Sequence, residues 1–305
     1  MERKPQIDAF GAMVLLLFSA LMGLNQVLIK LVNDGFSPVF QAGFRSACAM
    51  LPVIIYALLT RRALSVTDGS FLPGIFCGLL FSAEFLLLFS ALEYTPVNRA
   101  SVLFYTMPVW VAVAAHFLFP GEQLTPRRII GLGLAVIGVG VALLDEPPQI
   151  STDYLLGDLM CIGGSLCWAG IAITARMTKF SRSVPEMQLI YQLAVSGPVL
   201  MLMAPYFGPV VRDLTGEIIG IFTFQVLAVV AFGMLTWFWV LRYYPASDMT
   251  AFSFLAPLAG VISAWLILDE QITPAILIAL GLVGLGIALI SWKKKPAAQP
   301  PPSDR

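Results

Sequence analysis

Charge is what this chain has least of. Only 12% of its 305 residues are Asp, Glu, Lys or Arg, roughly half the share usual in a soluble domain. The 18 basic and 18 acidic residues cancel, so net charge points to no partner. No basic block with interleaved aromatics is present, which argues against a nucleic-acid partner. One histidine, His116, is too few for a His-based zinc site. The four cysteines, Cys48, Cys77, Cys161 and Cys167, lie in apolar runs without metal-ligand spacing. They read as small residues packed between helices rather than as a disulfide or a metal site. No P-loop occurs, which argues against ATP hydrolysis by this chain. No cofactor and no metal are expected.

What is present is apolar: 58% of residues are hydrophobic and mean hydropathy is +0.86. A helix needs about 20 apolar residues to cross the hydrocarbon core, where an unpaired backbone group is costly. Ten segments qualify: 8–31, 38–60, 70–92, 97–118, 127–144, 155–178, 185–206, 217–241, 246–268 and 274–292. The first is too long for a signal-peptide core and lacks a small-residue cleavage site, so it reads as a span. Connections are short, and no soluble domain fits between spans. Residues 293–305 read as a basic, Pro-rich, disordered tail.

Ten spans put both termini on one side. Fourteen of the 18 Lys and Arg fall on that side. Three, Lys30, Arg99 and Arg212, fall on the other, and Arg45 lies within a span. The positive-inside rule makes the termini cytoplasmic.

The chain repeats itself. Leu92–Leu143 contains Pro96, Pro108, Glu122-Gln123, Thr125-Pro126, Gly133 and Gly138. Leu241–Leu289 answers with Pro245, Pro257, Glu270-Gln271, Thr273-Pro274, Gly281 and Gly286. Earlier in the halves, Gly11 answers Gly157, Ser19 answers Ser165 and Lys30 answers Arg176. Two units follow, 8–144 and 155–292. Five spans per unit is odd, so the second enters from the opposite side. The expected fold is an all-α membrane protein with ten transmembrane helices in two inverted-topology five-helix repeats. That symmetry is characteristic of secondary transporters, because exchanging the conformations of the halves turns one open side into the other.

A polar group within a span needs a partner or a wet cavity. At 1.5 Å per residue, Asn25 and Arg45 lie about 10 Å below the outer ends of spans 1 and 2, Gln41 about 5 Å, and Glu84 and Tyr105 about 12 Å. These residues share a layer a little outside the midplane. Arg45 and Glu84 either flank a solute cavity, with Glu84 a candidate for a coupling proton, or form a structural ion pair between spans 2 and 3. A second layer lies nearer the cytoplasm, with Gln188 and Gln192 on span 7 and Trp237 on span 8. Gln188 answers Gln41, Gln192 answers Arg45, and Glu84 has no carboxylate counterpart. Pro96, Pro108, Pro245 and Pro257 are candidates for bends in spans 4 and 9. The glycines of span 5 (Gly131, Gly133, Gly138, Gly140) and span 10 (Gly281, Gly284, Gly286) suit close packing within the chain and leave room for a homodimer.

The chain resembles the drug/metabolite transporter superfamily, in particular its ten-helix members with two EamA domains. The resemblance rests on Gly23-Leu24-Asn25 with Lys30, on Pro96 and Pro108 with Gly121-Glu122, and on their recurrence at Pro245, Pro257 and Asp269-Glu270. It covers nearly the whole chain. Met22 stands where many members have Trp. The resemblance implies a bacterial inner-membrane carrier of a small metabolite, with export the expected direction, seated among lipids. It implies a central cavity formed by spans 1, 3, 4, 6, 8 and 9, helped by 2 and 7, with spans 5 and 10 supporting or dimerising. In that architecture Trp168 would stack on a solute, and Lys30 would either sit at the outer mouth or snorkel to headgroups. Two other classes stay open: a membrane-embedded lipid- or metabolite-modifying enzyme, and a scaffold or sensor that moves nothing. For the enzyme, only Asp145-Glu146 and Asp269-Glu270 offer acidic doublets, and neither has a histidine nearby.

Overall fold

The computed structural model describes residues 8–120, 123–145, 153–244 and 255–291, with Phe238, Leu241 and Arg242 described by backbone alone. Pro245, Glu122, Glu146, Trp292 and the 293–305 tail lie outside the described residues. The elements are α1 (Ala9–Val32), α2 (Pro38–Leu59), α3 (Phe71–Tyr94), α4 (Val97–Phe104), α5 (Met107–Leu118), α6 (Pro126–Leu144), α7 (Tyr154–Met177), α8 (Pro185–Met203), α9 (Gly216–Phe224), a π-helical segment (Gln225–Gly233), α10 (Met234–Tyr243), α11 (Leu255–Leu268) and α12 (Pro274–Ser291). Among the described residues nine helical stretches are long and apolar enough to cross a membrane, and α11 is a shorter apolar helix.

Residues are arranged as a bilayer demands. Leu17, Leu59, Phe117, Leu144 and Leu202 are exposed on the outside of the bundle, while Arg45, Glu84, Arg99 and Asp158 are buried within it. Lipid tails accept the apolar surface, and the charges must find protein partners.

The repeat is visible in the packing. A methyl group added at Gly131 of α6 would stand 2.7 Å from the Gly286 carbonyl oxygen of α12, and one at Gly138 would stand 3.0 Å from the Ala279 carbonyl oxygen. Counting along the repeat, Gly131 corresponds to Ala279 and Gly138 to Gly286. The two contacts are images of each other, so the α6–α12 seam maps onto itself when the halves are exchanged. The α2–α8 pair does the same.

Two departures from regular helix have local causes. Span 4 breaks between α4 and α5 at Tyr105-Thr106. Pro108 follows directly, and it has no N–H for the Phe104 carbonyl and a ring that clashes with it. Pro96 caps α4, and Pro257 lies in the first turn of α11. Span 8 carries extra residues. The repeat offset grows from 147 at Arg45/Gln192 to 149 at Pro96/Pro245. Its three pieces run nine, nine and ten residues, against 24 in α3. Inserted residues that cannot leave a helix widen it, and here they form the π turns.

The seam is testable. Gly131→Val should lower stability by about 1–3 kcal/mol through overpacking. Gly133→Val, two residues on but facing open space, should leave it unchanged. Melting both variants in detergent checks this, and equal melting temperatures would refute a tight α6–α12 seam.

Candidate functional site

The polar layer of Asn25, Arg45, Glu84 and Tyr105 forms where α1, α2, α3, α4 and α7 meet. Arg45 on α2 is 3% exposed. Its Nη1 donates to Asn25 Oδ1 on α1 at 3.1 Å. The guanidinium lies over Phe85 and Phe89 of α3, at 4.8 and 4.6 Å from the ring centroids. Its Nε has no protein partner. Glu84 on α3 is 5% exposed, and its Oε2 also lacks a protein partner. The two charges act on each other electrostatically, yet they do not pair. Arg45 is turned to Asn25 and the aromatic rings instead.

An aromatic wall stands beside this layer. Trp168 of α7 stacks on Phe104 at 5.3 Å and meets Tyr105 edge-on at 5.9 Å. The Tyr105 hydroxyl donates to the Met22 carbonyl at 3.4 Å. A methyl at Gly164 would reach the Phe104 ring at 3.3 Å and the Glu84 carbonyl at 3.4 Å, so α3, α4 and α7 converge there. Asn25, Tyr105 and Trp168 are partly exposed. Next to Asn25, Gln26 accepts from Ser101 Oγ at 2.5 Å and leaves its Nε2 unpartnered. Gln41 Nε2 donates to the Ile29 carbonyl at 3.2 Å.

Toward the end of the bundle that carries the C-terminus of α1, two carboxylates hold helices together. Glu270 pairs with Lys30 at 3.1 Å. It also accepts the first backbone amides of α4, Val97 N at 2.8 Å and Asn98 N at 2.9 Å. A negative group at a helix N-terminus satisfies free N–H groups and meets the positive end of the helix dipole. Lys30 is therefore fixed in the bundle rather than extended toward headgroups. The second carboxylate, Asp158 of α7, is fully buried against Arg99 of α4. Arg99 Nε lies 2.9 and 2.8 Å from the two carboxylate oxygens, and Nη2 lies 2.6 Å from Oδ2. Thr95 adds a hydroxyl donor at 2.7 Å. The Arg99 guanidinium also donates to the Asp145 and Leu143 carbonyls. This corrects one expectation: Arg99 belongs to a buried pair rather than to an outer connection.

The second repeat is placed differently. Gln188 donates to the Phe180 and Ser183 carbonyls at 3.1 and 3.0 Å, closing the turn before α8. Gln192 is partly exposed one turn on. Trp237 stacks on Phe18 at 5.2 Å, far along span 8 from the Arg45 layer. None of these three joins Arg45 and Glu84. His116 accepts the Leu124 amide at 3.3 Å, a connection-closing contact. Of the acidic doublets, Asp145 accepts from the Thr273 hydroxyl at 2.6 Å, and Glu270 caps α4. Asp158 and Gln26 escaped the sequence reading. Position alone could have flagged Asp158, one turn into an apolar span.

A model of the EamA-like transporter family matches residues 9–144 and again 155–292. The chain belongs to the EamA-like transporter family. It is a multi-pass membrane protein of transporter type. A transporter of Bacillus subtilis, YoaV, is 26% identical over 87% of this chain and 91% of its own. A probable amino-acid metabolite efflux pump of Escherichia coli is 25% identical over 92% of this chain and 95% of its own. A solved crystal structure superimposes with a TM-score of 0.64 at 20% identity, covering 90% of this chain and 94% of that one. It shares the fold.

Within this EamA-type bundle the Arg99–Asp158 pair should behave as a buried ion pair. Asp158→Asn strands the guanidinium and should cost about 3–5 kcal/mol, whereas Arg99→Met with Asp158→Leu should recover much of it. Thermal unfolding of the three proteins decides; single and double variants melting alike would rule out the pairing as a stabilising contact.

Proposed function

We propose that this chain is a secondary-active carrier of a zwitterionic, amino-acid-like metabolite with an apolar side chain. One observation carries the reading. Two opposite charges, Arg45 and Glu84, lie buried in one layer without pairing, and each keeps an unpartnered polar atom. An unpaired buried charge is costly, and a solute bearing a carboxylate and an ammonium would answer both. Arg45 suits the carboxylate through its fork of donors. Glu84 accepts the ammonium. Trp168, Phe104 and Tyr105 offer an apolar wall for the side chain.

Glu84 can hold a solute ammonium or a proton, not both, which is the arrangement of a solute–proton antiporter. Inverted repeats support alternating access between the halves. The Lys30–Glu270 clamp on α4 serves as the latch of the outer mouth, Arg45 and Asn25 lying inward of it. Basic residues concentrated on the side of both termini support a cytoplasmic N- and C-terminus in a bacterial inner membrane. The efflux-pump relative in Escherichia coli, and one named alike in Salmonella typhimurium, support export as the direction.

Purified protein in vesicles should give saturable flux of L-phenylalanine or L-leucine. Glu84→Gln and Arg45→Ala should each lower it at least about tenfold, the loss of one charge-assisted hydrogen bond, while eluting as folded protein. Folded wild type that moves none of the common L-amino acids would sink this reading. The latch gives a second outcome: Glu270→Ala should uncap α4 and speed labelling of an Asn25→Cys variant from the outside. Unchanged labelling rates would remove the latch role.

A further inference from the structure

Gln225 is the most isolated polar side chain among the described residues. It is 0% exposed, and both its amide oxygen and its amide nitrogen lack a protein partner. Among the described residues no other side chain has two separate polar atoms left without a partner. It opens the π-helical segment of span 8, a span longer than its counterpart α3. That segment lies against α1 and α2, the helices that carry Asn25 and Arg45. The neighbouring Val226 packs in the same buried cluster as Val32 of α1 and Ala49 of α2.

Depth places Gln225 with the first repeat's site. It stands nine residues into span 8 from Gly216, about 13 Å. Arg45 stands seven residues into α2, about 10 Å, and Tyr105 about 12 Å beyond Val97. Spans 2, 4 and 8 all start from the same side of the bundle, so these depths are measured from one face.

A buried amide with nothing to bond costs stability. Leucine at that position would cost none, and π turns recur where function holds an irregular helix in place. We propose that Gln225 is the second repeat's contribution to solute recognition, a neutral donor–acceptor pair facing the Arg45–Glu84 layer. It takes a solute group that offers an acceptor and a donor side by side, such as a carboxylate next to an ammonium or a primary amide. The chemistry is then split. One repeat supplies charge, and the other supplies an amide that reads hydrogen-bond geometry. The inference rests on the carrier reading above, and the extra residues of span 8 supply the compliance needed to turn the amide toward a solute.

Two arms test it in full-length protein. In vesicles with L-phenylalanine as probe, Gln225→Leu should raise KM about tenfold, the value of one lost buried hydrogen bond. Its melting temperature should equal or exceed that of wild type, because an orphan amide has been removed. Gln225→Glu, which keeps only acceptors, should not restore KM. An unchanged KM in Gln225→Leu overturns the inference while leaving the carrier reading intact. The second arm needs no known solute. In a variant with the four native cysteines replaced by alanine, Gln225→Cys should react with a water-soluble methanethiosulfonate as Asn25→Cys does. Val229→Cys, one turn on, should not. If wild type moves no L-phenylalanine but Gln225→Cys is labelled, the amino-acid reading falls and Gln225 still faces the solute path. If Gln225→Cys is as inert as Val229→Cys, the amide holds a structural water and the inference falls.

Discussion

A bilayer offers no water to a stranded polar group, and every buried charge in this bundle has to be read against that constraint. Arg99 and Asp158 meet it completely. The guanidinium has a carboxylate and two carbonyls, and the carboxylate has a guanidinium and a hydroxyl. Glu270 meets it with an ammonium and two amides. Such groups are finished as structure and have nothing left to offer a solute. Arg45, Glu84 and Gln225 are the contrast, because each retains capacity that the protein does not use. That unused capacity on charged and amide groups, more than the mere presence of charge, is what the proposed site rests on.

The same constraint explains what could be read without a structure. Spans are legible because a bilayer demands long apolar runs, and the duplication is legible because prolines and glycines mark fixed places in it. The layer of Asn25, Arg45, Glu84 and Tyr105 follows from counting along helices of known rise. Facing does not follow, because α3 is apolar nearly all round and its sequence marks no preferred side. Whether Arg45 would reach Glu84 or Asn25 therefore depended on contacts between residues 20 to 39 positions apart. Asp158 was hidden because its partner, Arg99, sits at a span boundary and looks like a connecting residue. Gln188 was conspicuous because it answers Gln41, and the two amides in fact do matching local work: each donates to a nearby backbone carbonyl. Repetition marks shared architecture. A feature that one half alone possesses, such as Glu84 or Gln225, is where the halves differ in chemistry.

Symmetry also sorts the contacts into those that can persist and those that can change. The α2–α8 and α6–α12 pairs are their own images when the halves are exchanged. Their contacts are therefore compatible with either orientation of a carrier. At one end of α2 the loops are zipped by backbone bonds, Ser37 N to Val210 O and Arg212 N to Gly35 O, at 3.1 and 2.9 Å. At the other end Arg62 meets Glu186 at 3.0 Å, and Ser183 donates to Asp68 at 3.0 Å. Hydrogen bonds from Ser70 and Ser183 hold the half-buried Asp68 carboxyl below its usual range, so this clamp is present at neutral pH and weakens only as pH falls through that lowered value.

Contacts that are not their own images lie on the remaining spans, which bring Asn25, Glu84, Tyr105 and Trp168 to Arg45 of α2. Lys30 and Glu270 belong to α1 and to the turn after α11, and they close on α4. By repeat position their counterparts are Arg176 and Glu122; Arg176 lies over the Phe119 ring at 4.0 Å, and Glu122 lies outside the described residues. In the proposed carrier reading, alternation by exchange of the halves needs one clamp made while the other is open, and residues of like charge at equivalent positions of the two halves suit that need. The break before Pro108 and the π turns of span 8 fall on spans outside the two self-matching pairs, one in each repeat. Both stand at the depth of Arg45 and Glu84, where a helix that bends would change what the solute touches.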